Sequence, residues 1–197
     1  MNTPRTLVAI GVTSAIALAS CGGSSSSSAG GVPAATWAGK FCTVTLKYSD
    51  AVKAAETNQV AALQDVTSVS QGKVKLLGLL QSAVNSTVSA ISQMQAAGVP
   101  NVSNGDQIQA QAVKAFQSAK TVFQHALAQV QSASTANAQA FAALAGNVGT
   151  EISTGFTQVQ TSFLAIDQLD TSGQLAKAGE TVASCKALSA PTTTTGP

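Results

Sequence analysis

The sequence predicts an all-α fold, an antiparallel four-helix bundle with a short C-terminal capping helix. Apolar residues recur at alternating spacings of three and four along most of the chain, which is typical of helices that bury one face. Sustained two-residue alternation is missing, and Asn104-Gly105, the one hairpin-type dipeptide, lies between helical patterns. The connections between the long patterns are short, which favours antiparallel neighbours.

The boundary between the first two helices is predicted near Asn58. Thr36 is expected to cap the first helix, and Gly98 followed by Pro100 to stop the second. Gly72 interrupts the second helix and is expected to kink it, because an interior glycine destabilises a helix by about 1 kcal/mol relative to alanine. The predicted buried stripes are Trp37, Phe41, Val44, Tyr48, Ala51 and Ala55 in the first helix, and Leu63, Val66, Val69, Leu77, Leu80, Val84, Val88, Ile91 and Met94 in the second.

The third and fourth helices are separated by a predicted turn at 132–135. The third is expected to follow Ser103, with Asp106 completing an imperfect capping box. The fourth contains Gly146, Gly149 and Gly155, so either this helix is bent or another helix approaches it closely. The predicted stripes are Ile108, Ala112, Phe116, Ala119, Phe123, Ala126 and Val130 in the third helix, and Phe141, Leu144, Val148, Ile152, Phe156, Val159, Phe163 and Ile166 in the fourth.

A short last helix is predicted after residues 170–172. It carries Leu175, Val182, Cys185 and Leu188. This helix is expected to lie across one end of the bundle.

The first apolar run has the features of a secretory signal peptide: Arg5, a short uncharged apolar core and small residues at its end. Its end, Leu18-Ala19-Ser20-Cys21, resembles the lipobox of bacterial lipoproteins. The resemblance implies that Cys21 takes a diacylglyceryl group and becomes the first mature residue, held by acyl chains on the outer side of the cell membrane. The alternative is an ordinary signal peptide beside an accidental cysteine.

The chain is therefore divided into four segments. Residues 1–20 are the predicted lipoprotein signal peptide, 21–35 the lipidated cysteine and a flexible Gly/Ser linker, 36–189 the helical-bundle domain, and 190–197 a disordered tail. The threonines of the tail are either bare or acceptors for O-linked sugar.

Cys42 and Cys185 are the two cysteines that remain, and in an oxidising compartment they are expected to form a disulfide. The alternatives are two free thiols or pairing between molecules. Four antiparallel passes return the chain to the end where Cys42 lies, so the bond would close the membrane-proximal end. The opposite loops, 56–58 and 132–135, would then form the contact surface.

Composition and motifs argue against several functions. Charged residues make up only 9% of the chain and Lys and Arg form no cluster, which argues against nucleic acid as a partner. His125, the one histidine, is expected to be solvated, and Asp167 and Asp170 are expected to cap a helix junction. The sequence therefore predicts no catalytic residue, no cofactor and no metal site, and we expect no enzymatic activity.

The edges of the domain carry a second resemblance. The opening Trp37-Ala38-Gly39-Lys40-Phe41-Cys42 and the closing Leu175…Cys185-Lys186-Ala187-Leu188 are similar to those of uncharacterised actinobacterial helical lipoproteins. The resemblance implies an envelope location and a Cys–Cys closure, and it brings no known activity.

Two functions fit these observations. The first is an interaction or structural module of the cell envelope, whose partner would be an envelope protein or polymer. The second is a carrier or binder of a small apolar ligand or lipid. A continuous dry core would favour the first, and a connected apolar cavity of a few hundred cubic ångströms would favour the second.

Overall fold

Four long helices and two short ones form an all-α bundle, which confirms the predicted fold class. The computed structural model describes residues 30–64 and 66–189. The long helices run antiparallel: α2 packs against α1 and α3, α3 packs against α4, and the short α5 and α6 pack against α1. The helices are α1 (Ala34–Gln64), α2 (Val69–Ala97), α3 (Gly105–Ser132), α4 (Ala138–Leu169), α5 (Gln174–Gly179) and α6 (Ala183–Ser189).

The predicted boundary near Asn58 is wrong, because α1 continues without a break to Gln64. Thr57 is accommodated inside the helix by donating a hydrogen bond from its hydroxyl to the carbonyl of Lys53, at 3.0 Å. The segment 56–58 is thus part of α1 and is not a loop.

The second helix begins instead at a cap. The Ser68 hydroxyl accepts from the Gln71 N–H at 3.3 Å, and the Gln71 side chain accepts from the Thr67 N–H at 3.0 Å. This reciprocal pattern satisfies backbone N–H groups that the first turn leaves free. Gly72 lies in that first turn, so it marks the start of α2 and not a kink in its middle.

The core is centred on α3, whose predicted stripe is confirmed residue by residue. It is buried at Ile108, Ala112, Phe116, Ala119, Phe123, Ala126 and Val130. On α2 one position of the buried stripe differs from the prediction by one residue. Val88 is 45% exposed, while its neighbour Thr87 is fully buried. The Thr87 hydroxyl donates to the carbonyl of Ala83 at 2.7 Å, which offsets the cost of burying it.

The predicted capping box at Ser103 is wrong. The residue before α3 is Asn104, in the left-handed region with φ 61°, and its side chain makes no capping bond. Its amide instead donates to the carbonyl of Leu169 at 3.0 Å, which joins the α2–α3 loop to the end of α4. Gly105 is required next, because a β-carbon there would collide with the carbonyl oxygen of Pro100.

The far end of α3 agrees with the predicted turn, since α3 ends at Ser132 and α4 begins at Ala138. The Lys73 ammonium donates to the carbonyls of Gln131 and Ala133, at 2.8 and 2.6 Å. A cation at these carbonyls complements the negative end of the helix dipole.

The described chain begins with a short pairing before α1. The N–H of Val32 donates to the carbonyl of Val99, and the N–H of Asn101 donates to the carbonyl of Val32, each at 2.7 Å. The helix begins at Ala34 and not at a Thr36 cap. The last residues of the predicted linker 21–35 are therefore fixed to the α2–α3 loop. The predicted signal peptide 1–20 and tail 190–197 lie outside the described residues.

The C-terminal segment closes the same end of the bundle, which we call the base. The predicted single last helix is two helices, α5 and α6, separated by a turn at 180–182. Cys185 of α6 is bonded to Cys42 of α1, with an S–S distance of 2.04 Å, so the predicted intramolecular pairing is confirmed. Residues 30–33, the α2–α3 loop, α5 and α6 all lie at the base.

Among the glycines of α4, Gly155 is the one at which α3 approaches most closely. A β-carbon built there would lie 2.6 and 2.7 Å from the two methyl groups of Val122. Of the two expectations for the glycines in the fourth helix, close approach therefore applies at Gly155.

We predict that Gly155→Ala lowers the free energy of unfolding by about 1–3 kcal/mol, since the stiff Val122 side chain cannot move aside without shifting a helix. Chemical denaturation measures the change. The matched control is Gly146→Ala, where nothing lies within 4 Å of a built β-carbon. The control should gain about 0.5–1 kcal/mol from helix propensity. Equal effects of the two substitutions would contradict the close approach.

Candidate functional site

A chain of aromatic rings crosses from α1 to α4 in the lower half of the bundle. Phe41 lies edge-on to Phe163 with ring centroids 5.5 Å apart, and Phe163 contacts Phe116 at 5.4 Å. Tyr48 completes the chain by meeting Phe116 edge-on at 5.3 Å. Edge-to-face pairs of this kind are favourable beyond the area that they bury. These rings join α1 to α4 at this height of the bundle.

Further from the base, α1 and α4 leave an apolar cavity between them, which we call the central groove. Its volume is about 220 Å³. Every lining residue is apolar and all four long helices contribute. The lining consists of Val52, Leu76, Leu79, Leu80, Ala83, Phe123, Ala145, Val148, Gly149, Ile152 and Phe156.

The large apolar side chains of α4 beside the groove are only partly covered by the other helices. Ile152 and Phe156 face it and are only half-buried, as are Phe141 and Leu144 on the same helix. Val148, which also lines the groove, and Val159 are buried. The helix thus buries one flank and leaves a neighbouring apolar flank open.

Gly149 lies at the mouth of the central groove. A β-carbon built on it meets nothing within 4 Å, in contrast to Gly155. Gly146 also faces open space, but it does not line the groove. The glycines of α4 therefore divide: Gly155 permits close packing, and Gly149 leaves the groove mouth unfilled.

A second cavity, the basal pocket, lies beside the disulfide and has a volume of about 490 Å³. Its inner wall is formed by Trp37, Phe41, Ile166, Leu175 and the Cys42–Cys185 bond. The exposed side chains of Asp167, Glu180 and Lys186 stand on its rim.

Trp37 is held in the wall of the basal pocket by a defined set of contacts. Its ring is 1% exposed and stacks on Phe41 at 5.3 Å. Its indole N–H donates to the Gln109 side-chain oxygen at 2.7 Å, and the Gln109 amide donates to the Met94 carbonyl at 2.5 Å. One glutamine thereby links α1, α2 and α3 at the base.

The residues predicted from the sequence have different outcomes here. Cys42 and Cys185 meet in the wall of the basal pocket, as described above. Cys21, the predicted site of lipidation, lies outside the described residues. Asp170 is a cap, as expected: its carboxylate accepts from the N–H groups of Gln174, Leu175 and Ala176 at 3.1, 2.8 and 3.1 Å.

His125 is exposed, as predicted, but it is not isolated. Its Nδ1 lies 2.5 Å from a carboxylate oxygen of Glu151, and Gln129 donates to the other oxygen at 2.7 Å. The cluster joins α3 to α4 on the surface, where such pairs stabilise little. Sequence reasoning missed it because the two partners are 26 residues apart and belong to different helices.

The described part of the chain lacks a metal cluster and a membrane-spanning helix. Within residues 30–64 and 66–189, no group of three or more His, Cys, Asp and Glu side chains could hold a metal ion. None of the helices in the same ranges is both long and apolar enough to cross a bilayer.

Comparison with known proteins identifies no relative: no family model, curated protein or solved structure matches the chain.

Tyr48 of α1 is a buried titratable group in the chain of aromatic rings described above. Its hydroxyl has no hydrogen-bond partner of acceptable geometry among the described residues. Burial raises the pKa of Tyr48 above its ordinary value of 10.0, and the neighbouring Thr87 hydroxyl lowers the pKa by a smaller amount. The neutral phenol is therefore favoured in the folded chain.

We predict that folding stability falls as the pH rises above 10, in the interval up to the raised pKa of Tyr48. The unfolded tyrosine loses its proton first, so the unfolded state binds fewer protons there and gains stability relative to the folded state. Below pH 10 this contribution is constant. Tyr48 is the only tyrosine, so phenolate absorbance reports it alone.

The control for this prediction is Tyr48→Phe. Its loss of folding stability at alkaline pH should lack the contribution of Tyr48 and keep the contribution of other groups. Phenolate formation in the folded chain at the ordinary pKa of tyrosine would contradict the prediction.

Proposed function

We propose that the chain is a non-enzymatic, extracytoplasmic helical bundle that is tethered to a bacterial cell membrane through lipid on Cys21 and binds a small apolar ligand in the central groove. The observation that carries the proposal is the groove itself: about 220 Å³, bounded by apolar residues alone. The lipid anchor rests on the lipobox resemblance at residues 18–21.

The size of the groove supports a ligand of modest dimensions. An engineered protein cavity of about 150 Å³ binds benzene, so the groove has room for a single ring or a short acyl segment. Each buried methylene contributes about 0.8 kcal/mol. A six-carbon segment would contribute about 5 kcal/mol, which association costs of at least 4 kcal/mol largely offset. We therefore expect weak, reversible binding, as suits a carrier.

The chemistry of the lining sets the ligand class. No charged or polar side chain is among the residues that line the groove, so a buried polar group on the ligand would lose its hydrogen bonds to water without replacement. The ligand is therefore apolar over its buried part, and any polar group stays at the mouth beside Gly149.

The interaction module predicted first from the sequence remains the second candidate. Among the described residues, the large exposed apolar side chains are Val74, Val88 and Leu164. Val74 and Val88 are about 21 Å apart along α2 by helical rise, so they do not form one patch. A stoichiometric envelope protein or polymer in mass spectra of the natively released protein would favour this candidate, and a co-purifying apolar ligand would favour the first.

We predict that benzene stabilises the chain through the central groove and that Gly149→Leu abolishes this effect. At a concentration ten times its Kd, benzene should raise the free energy of unfolding by about 1.4 kcal/mol, which thermal denaturation measures as a shift of about 4 °C for a domain of this size. The leucine would extend into the mouth that Gly149 leaves open.

The matched control is Gly146→Leu, which places the same side chain on the same helix outside the groove and should keep the full shift. If benzene stabilises neither the unmodified chain nor this control, the groove does not bind apolar ligands.

We also predict that Cys21→Ala releases the protein from membranes without unfolding it, because it removes the proposed acylation site and leaves residues 30–189 unchanged. Membrane fractionation with circular dichroism of the released protein measures both effects. A variant that stays membrane-bound after a high-salt wash would show that Cys21 is not the anchor.

A further inference from the structure

We propose that the basal pocket receives one acyl chain of a zwitterionic phospholipid from the membrane to which the chain is tethered. The proposal rests on the membrane anchor proposed above and is independent of ligand binding in the central groove.

The basal pocket lies at the end of the bundle to which the proposed tether leads. Val32 is fixed to the α2–α3 loop at the base by two backbone hydrogen bonds of 2.7 Å. Gly30 lies nine residues after Cys21, so a fully extended chain between them spans at most about 30 Å. An anchored Cys21 would therefore hold the base close to the lipid surface.

The chemistry of the basal pocket suits an acyl chain. Its inner wall presents Phe41, Ile166, Leu175 and the disulfide, all of which an acyl chain can contact without losing hydrogen bonds. The volume of about 490 Å³ is more than twice that of the central groove. An apolar interior with a charged edge suits an amphiphile that inserts its chain and leaves its headgroup outside.

The rim of the basal pocket carries charges of both signs. Asp167 and Glu180 carry carboxylates and Lys186 carries an ammonium group. None of these three side chains has a hydrogen bond or ion pair within the described part of the chain. Carboxylates complement the amine of a zwitterionic headgroup, and the lysine complements its phosphate. With two negative groups against one positive, an anionic headgroup is less well matched.

The two cavities are distinct sites. Phe41 and Phe163 meet between them, and Phe41 and Val52, which line the basal pocket and the central groove respectively, are about 16 Å apart along α1 by helical rise. A substitution in one cavity therefore leaves the other unchanged, so the two proposals can fail separately.

The test uses the full mature chain with Cys21→Ala and monomeric lysophosphatidylethanolamine as the probe. Trp37 is the only tryptophan and lies in the pocket wall, so its emission reports the pocket directly. We expect a saturable change in emission, with an affinity at least threefold higher than for lysophosphatidylglycerol, in line with the small energies of exposed charge pairs. Glu180→Gln should reduce that preference.

Ala176→Phe should block the site, because Ala176 lines the pocket and is exposed. Ala187→Phe is the matched control, an exposed alanine of α6 outside the pocket lining, and it should bind like the unmodified chain. Gly179→Val is a second blocking variant, since a β-carbon there makes only ordinary contacts with Cys185, at 3.7 and 3.8 Å. Circular dichroism identifies which blocking variant is folded.

Loss of the emission change in a folded blocking variant, together with its retention in Ala187→Phe, would support the proposal. An absent change, or an equal response in blocking and control variants, would overturn it. Loss in Gly149→Leu with retention in Ala176→Phe would also overturn it, because the lipid would then occupy the central groove.

Discussion

The bond between Cys42 and Cys185 holds the base of this bundle together. It links α1 to α6 across 143 residues of sequence, and a cross-link of that span stabilises a fold by about 5 kcal/mol in the chain-entropy account. The helices α5 and α6 have only six and seven residues, too few to be stable without tertiary contacts. Their position against α1, and hence the basal pocket, depends on this bond and the small cluster of side chains around it.

A second constraint sets the spacing of the long helices. The buried stripe of α3 is rich in alanine, and Gly155 lets α4 approach Val122 of α3 closely. Beside this contact, Ile152 and Phe156 of α4 stay half-buried, and Phe156 meets Phe123 of α3 edge-on with ring centroids 5.6 Å apart. The close contact at Gly155 and the central groove, which Phe123 and Phe156 both line, thus lie next to each other along α3 and α4.

The predictable parts of the fold depend on the local periodicity of apolar residues or on the number of cysteines and helical passes. The α3 stripe was correct at every position because apolar and small residues repeat there without interruption. The Cys42–Cys185 bond followed from an even pair of cysteines and four antiparallel passes. The α1–α2 boundary is harder to predict, because Gly72 by itself suggests a kink inside a helix, although Ser68 and Gln71 carry a capping pattern that marks the start of α2.

The cavities could not be predicted, because they depend on distances between helices. Sequence periodicity shows which side of a helix is apolar but not whether a neighbour covers it fully. For the same reason the glycines of α4 could not be assigned individually. The burial of Thr87 where Val88 was expected has a similar origin. A threonine can be buried when its hydroxyl bonds to the preceding turn, and periodicity cannot detect this.

The proposed ligand-binding function explains why a glycine occupies position 149 inside α4. A glycine inside a helix destabilises it by about 0.5–1 kcal/mol relative to alanine, and at Gly155 the contact with Val122 accounts for that cost. At Gly149 no neighbour lies within 4 Å of a β-carbon, so packing offers no compensation. The proposed function does account for it, since a larger side chain would occupy the space through which the proposed apolar ligand would enter. Nothing in the structure explains Gly146, which is what makes it a suitable reference for Gly149.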